Sequence, residues 1–92
     1  MKNALAKTFI DRAKEVGVYL REEDPGMVLD NITLTASFQK WSVTMNYDKR
    51  EYYCNPIRIW IEVLKLLLAV VQNDGGQNDM GMIQGLMLME SR

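Results

Sequence analysis

The residues of this chain that could do chemistry are carboxylates and a single thiol. Acids gather in three places: Glu22, Glu23 and Asp24 before a Pro-Gly pair, Asp48 and Glu51 around a second polar stretch, and Asp74 and Asp79 in a glycine-rich loop. Two carboxylates work as an acid–base pair only when their surroundings push their pKa values apart. Neighbouring acids on a surface turn are solvated alike, so no catalytic residue is assigned. Histidine is absent, which removes the commonest general base, the commonest zinc ligand and any Ser-His-Asp or Cys-His arrangement. Cys54 has no second cysteine to pair with, and it reads as a small buried residue at a strand end. The stretch NDGGQND superficially suggests calcium, but it lacks the ligand spacing and the closing bidentate Glu of an EF-hand. No glycine-rich phosphate loop with a following Lys is present either. Neither a metal nor a cofactor is expected.

With no reactive set to position, the elements themselves carry the reading. A chain of 92 residues is one domain with a modest core, and a single compact α+β domain over 1–92 is expected. Apolar residues make up 48% and charged residues 25%, the balance of an ordinary folded protein. A net charge of −1 gives no global pull toward nucleic acid or an anionic membrane. The start, MKNALAKTFIDRAKEVGVYL, is too interrupted by charge for a signal segment, and with one cysteine the expected location is cytoplasmic.

Between residues 3 and 20, Leu5, Ala6, Phe9, Ile10, Ala13, Val16, Gly17 and Leu20 follow the i, i+3, i+4, i+7 rhythm of an amphipathic helix. Pro25-Gly26 suits a type II turn. The period then changes to two. Ile32, Leu34, Ala36 and Phe38 alternate with polar residues, and after a slip of one residue so do Trp41, Val43, Met45 and Tyr47. A two-residue turn at Gln39-Lys40 would pair Phe38 with Trp41, Ala36 with Val43, Leu34 with Met45 and Ile32 with Tyr47, placing every apolar side chain on one face. A single bulged strand would give the same slip. Tyr52, Tyr53 and Cys54 read as a short third strand. Asn55-Pro56 then opens a long helix, with Asn as a side-chain cap, and Asn73-Asp74-Gly75-Gly76 closes it. The tail from Asp79 could be a short helix or an edge strand, and helix is preferred. The expected order is helix-strand-strand-strand-helix, a three-stranded antiparallel sheet covered on one face by helices, plus a short C-terminal element.

The long helix raises the sharpest question. From Ile57 to Val71 twelve of fifteen residues are apolar, too few for a membrane span of about 20 and broken by Arg58, Glu62 and Lys65. No membrane partner is expected. One side, around Ile57, Trp60, Ile61, Leu64, Leu68 and Val71, can lie on the sheet. The other side, Ile59, Val63, Leu66, Leu67 and Val70, needs a cover from the first helix, from the Met-rich tail, from a second copy or from a foreign partner. The candidate interface is therefore Ile59, Val63, Leu66, Leu67, Val70, Met82, Leu86 and Met89.

The element order is similar to that of the double-stranded RNA-binding domain, a family that grips phosphates with a Lys-rich cluster at the start of its last helix. Here that position reads Asn55-Pro56-Ile57-Arg58-Ile59-Trp60, so the resemblance stops at order. A basic and aromatic patch from Lys40, Lys49 and Arg50 with Trp41, Tyr47, Tyr52 and Tyr53 is the nucleic-acid alternative. A cleft between the long helix and the tail is the small-molecule alternative. In size and element mix the chain resembles phage-encoded inhibitors of bacterial defence systems such as anti-CRISPR proteins, an analogy of architecture that no motif carries. The expected function is a small non-enzymatic interaction module that occludes or joins protein surfaces, with a homo-oligomer or a protein partner.

Overall fold

The computed structural model describes residues 4–90, with side chains for 4–88. In order along the chain stand α1 (Ala4–Glu15), β1 (Val18–Glu23), β2 (Asn31–Phe38), β3 (Trp41–Asp48), α2 (Lys49–Cys54), α3 (Pro56–Asn73), a 3-10 turn (Gln77–Asp79) and α4 (Met80–Glu90). The strands form one antiparallel sheet in the order β1-β2-β3. Helix, three strands, then helices is the expected order, and the tail is helical.

The hairpin has the expected register, with Phe38 opposite Trp41, Ala36 opposite Val43, Leu34 opposite Met45 and Ile32 opposite Tyr47. Gln39 takes a φ of +54° to close the turn, a conformation that costs a side-chain-bearing residue and that Gly adopts freely. On the outer face the same register lines up polar rungs: Thr33 Oγ1 donates to Asn46 Oδ1 at 2.8 Å, the Thr35 and Thr44 hydroxyls lie 3.2 Å apart, and those of Ser37 and Ser42 lie 3.1 Å apart.

Two elements differ from expectation. The first helix ends at Glu15 rather than running to residue 20, because Gly17 adopts a φ of +87° and turns the chain into β1. Val18 and Leu20 then face inward while Tyr19 and Arg21 face out. Val16 and Leu20 fit both periods, and the left-handed Gly17 decides between them. The segment Tyr52-Tyr53-Cys54 is the end of α2, not a strand. Asp48 caps that helix, accepting from the Arg50 amide at 2.8 Å and the Glu51 amide at 3.4 Å. Aspartate followed three residues later by glutamate is the capping signature that marks this start. Tyr52 still points inward and accepts the Trp60 indole N–H at 2.7 Å, with the two rings edge to face.

Asn55 breaks α2 from α3 by its backbone: its N–H donates to the Glu51 carbonyl at 3.2 Å, its carbonyl accepts from the Ile59 amide at 3.1 Å, and its side chain makes no capping bond. The far end of α3 is a Schellman motif. The Gly75 amide, at a φ of +80°, donates to Gln72, and the Gly76 amide donates to Val71.

One apolar core joins the layers. The inner face of the sheet supplies Val18, Leu20, Ile32, Leu34, Ala36, Phe38, Trp41 and Val43, and Phe9, Trp60, Leu64, Leu67, Val71, Ile83 and Leu86 come from the helices. Helix α3 lies against β2 and β3, while α1 and α4 close over its other side. The chain thus covers most of its own long helix, leaving Leu66 exposed and Ile61, Leu68 and Val70 half-buried. Among the described residues no helix is long and apolar enough to cross a membrane.

Candidate protein-binding loop

At the open end of the sheet, residues 24 to 30 join β1 to β2, and the sequence there reads Asp-Pro-Gly-Met-Val-Leu-Asp. Asp24 Oδ1 accepts the Gly26 amide at 2.8 Å, which closes a turn that Gly26 completes with a φ of +100°. The Lys49 ammonium stands 2.6 Å from Asp24 Oδ1 and also donates to the Gly26 carbonyl. Tyr53 donates its hydroxyl to Asp24 Oδ2 at 2.9 Å. At the far side of the loop the Lys49 amide donates to the Asp30 carbonyl at 2.7 Å. Helix α2 therefore grips both ends of the loop, through the main chain and side chain of Lys49 and through Tyr53 one turn on.

The electrostatics follow from these contacts. The Lys49 hydrogen bond, the Gly26 N–H and the Tyr53 hydroxyl together hold the Asp24 carboxyl down to about 2. Burial, with the carboxylate beside it, pushes the Tyr53 phenol up to about 12. At neutral pH the aspartate is charged, the phenol keeps its proton, and the bond between them stays intact.

What the clamp presents is apolar. Met27 is 101% exposed, Val28 90% and Leu29 57%, three consecutive large apolar side chains held in water. Beside them lies an open groove of about 640 Å³ walled by Met27, Leu29, Arg50, Tyr53 and Cys54. Cys54 is exposed on this wall, not buried as expected. The lining of the groove is mostly apolar, with the charged side chains of Asp24, Asp30, Lys49 and Arg50 among it.

The interface expected on α3 and the tail divides differently. Ile59, Val63 and Leu67 are fully buried and Leu86 nearly so, so these four are core of the single chain and are reached by a partner only if the helices part. Val70 is half-buried. Leu66 and Met82 are exposed at 38% and 54%. The Met89 side chain lies outside the described residues. The tail packs directly on α3, and the groove beside it, about 270 Å³, opens between α4 and the end of α1.

The basic and aromatic patch is also dispersed. Trp41 and Tyr52 are buried, Lys49 is engaged by Asp24, and Lys40 stands 3.4 Å from Asp74 at the other end of the sheet. The glycine loop's carboxylates have partners of their own: Asp74 Oδ2 accepts the Trp41 indole N–H at 2.9 Å and Asp79 accepts from the Gln39 amide at 3.1 Å.

Sequence reasoning missed the loop because a Pro-Gly turn explains its first half. The available signal was Met-Val-Leu directly after that turn, an apolar run in a segment with no strand or helix period. Comparison of the chain with protein-family models, with curated proteins and with solved structures found no match.

Proposed function

We propose that this protein is a small non-enzymatic interaction module whose contact surface is the apolar tip of the loop from Asp24 to Asp30. The observation that carries the reading is the combination of full exposure at Met27 and Val28 with a clamped loop. Solvating large apolar side chains costs about 1.5–3 kcal/mol each relative to burying them, a cost that burial against a partner would recover. A loop fixed before binding keeps the entropy cost of association low. Insertion of Met27 and Leu29 into a partner's apolar pocket, with Arg50 and Asp30 at the rim, is the mode this geometry suits. Occlusion of a partner's working surface is the form of activity that a chain without a catalytic set supports.

The test is a paired capture experiment. Wild type and the Met27→Ser/Val28→Ser/Leu29→Ser variant are used as baits in the same cell extract, and any protein enriched by the first alone is purified and titrated against both. The expected result is affinity at least about tenfold weaker for the variant, the loss of one buried anchor. Equal affinity for the two baits would move the binding surface elsewhere.

A further inference from the structure

The two edges of the sheet are built differently. The β1 edge carries Arg21, Glu22 and Glu23 and runs into Pro25, which are the features that keep a strand edge from pairing. The β3 edge reads Trp-Ser-Val-Thr-Met-Asn-Tyr-Asp, with no charge before Asp48 and no Pro or Gly. Its main-chain groups alternate in direction. The Lys49 amide, in register with Asp30, bonds across to β2, so the odd-numbered residues of β3 aim their N–H and C=O at β2 and the even-numbered ones, Ser42, Thr44 and Asn46, aim theirs outward.

We propose that β3 pairs antiparallel with β3 of a second copy, centred on Thr44, to make a continuous six-stranded sheet. Antiparallel self-pairing about Thr44 matches outward residue to outward residue: Thr44 meets its own copy and Ser42 meets Asn46, giving about six main-chain hydrogen bonds between chains. The same register sets Trp41 beside Tyr47 and Val43 beside Met45 on the helix side, and keeps hydroxyl and amide groups together on the outer face. The strand is complementary to itself, and a foreign strand would have no such reason to match it.

The helix layer fits this arrangement. Tyr47 donates to Glu62 at 3.2 Å and Trp41 to Asp74 at 2.9 Å, so α3 runs antiparallel beneath β3 and the level of Thr44 corresponds to Leu68. Leu68 and Ile61 are half-buried, on the flank of α3 between its sheet-facing side and the exposed Arg58–Glu62–Lys65 stripe. Helix α3 touches both β2 and β3, so it lies beside the free β3 edge. Two copies joined at about 4.8 Å between strands then bring their α3 helices side by side beneath the joined sheet. Leu68 meets its own copy at the two-fold axis, and both half-exposed flanks become covered. The loops from Asp24 to Asp30 come to lie at opposite ends of the joined sheet, so the dimer offers two contact tips facing apart.

The first measurement is mass by light scattering on the full chain. Wild type at about 0.5 mM, where a dimer of micromolar Kd is saturated, is expected at twice the 10.6 kDa chain mass. A mass of one chain at that concentration overturns the proposal. Thr44→Pro removes an outward N–H without touching the β2 ladder, and Thr44→Lys sets two like charges face to face across the axis. Each is expected to weaken the dimer at least tenfold with the circular dichroism of the fold retained. A dimer unaffected by Thr44→Lys overturns the proposal even where Thr44→Pro fails to fold. Register is read by oxidation in a Cys54→Ser background: Thr44→Cys is expected to form a covalent dimer and Ser42→Cys is not, and equal yields overturn the assigned centre. The pairing stands on a surface separate from Met27–Leu29, so the loop variant of the preceding section should still dimerise.

Discussion

At the open end of the sheet Asp24 accepts from Lys49, Tyr53 and the Gly26 amide; at the turn end Asp74 accepts from the Trp41 indole and lies beside Lys40. Both carboxyls are held below their ordinary value by these donors, Lys49 first at Asp24 and the Trp41 indole first at Asp74. The chemistry is the same and the result is opposite. Around Asp74 the chain closes on itself: the indole lies over Gly76, the Lys40 ammonium sits 5.2 Å from the Trp41 ring centroid, and Gln39 ties the hairpin tip to Asp79. Around Asp24 the chain is held open, with Met27 and Val28 in water. A carboxylate clasp therefore does not tell whether the residues around it are packed or left in water; the side chains beyond the clasp do.

The contrast breaks most visibly at Gly76. A Cβ there would stand 2.6 and 2.8 Å from two indole carbons of Trp41 and 2.8 Å from a Val71 methyl. The ring cannot retreat without losing Asp74. Gly76→Ala is expected to cost about 2 kcal/mol, the usual price of overpacking, read as a lower urea midpoint at unchanged slope. The triple serine variant of the other loop should change stability, read the same way, by less than about 0.5 kcal/mol. Comparable losses from the two would mean that Met27–Leu29 also belongs to the core.

Next comes Tyr53→Phe, which removes one donor from Asp24 while leaving the ring. A loss of about 1 kcal/mol is expected, concentrated in the loop, so the Gly26 amide should exchange faster while the amides of β2 keep their protection. Uniform acceleration across the sheet would make the clasp part of the global fold. Acid gives a graded version of the same test. The folded-state value of Asp24, about 2, lies below its ordinary 3.8, so the clasp's contribution is complete above that ordinary value and is lost as pH falls through about 2. The Gly26 amide shift, followed by NMR, should titrate near 2, and a midpoint near 3.8 would show the clasp absent in solution.

Much of this architecture was legible beforehand, for identifiable reasons. The hairpin register followed from a one-residue slip between two alternating runs, since only a two-residue turn keeps both apolar sets on one face. Pro56 and the Gly75-Gly76 pair bounded α3 because helix ends have strong residue preferences. Strand β1 was hidden because Val16, Gly17 and Leu20 continue the helical period of the residues before them, and α2 because Tyr52 points inward in either structure. The candidate site was not legible at all. Residues chosen for apolarity, such as Ile59, Val63 and Leu67, proved to be core, because apolarity reports the need for burial and not what supplies it. The loop that carries Met27–Leu29 is held at Asp24 by Lys49 and Tyr53, more than twenty residues from that aspartate in sequence, and no local pattern carries that.

The smallest effect sharpens the turn end of the comparison. Gln39 holds a φ of +54°, where a side-chain-bearing residue gives up about 1 kcal/mol relative to Gly, and in return its amide reaches Asp79 at 3.1 Å. Gln39→Gly relieves the backbone and removes the tie. Because that tie is solvent-exposed and between uncharged donor and carboxylate, and because Gly adds freedom to the unfolded chain, the two losses nearly match the gain. A net stabilisation of about 0.5 kcal/mol is expected, seen as a slightly higher urea midpoint. If the variant is instead less stable, the tie to Asp79 outweighs the strain. The hairpin tip and the glycine loop would then act as one clasp of two bonds, with Asp79 as necessary to the closed end as Tyr53 is to the open one.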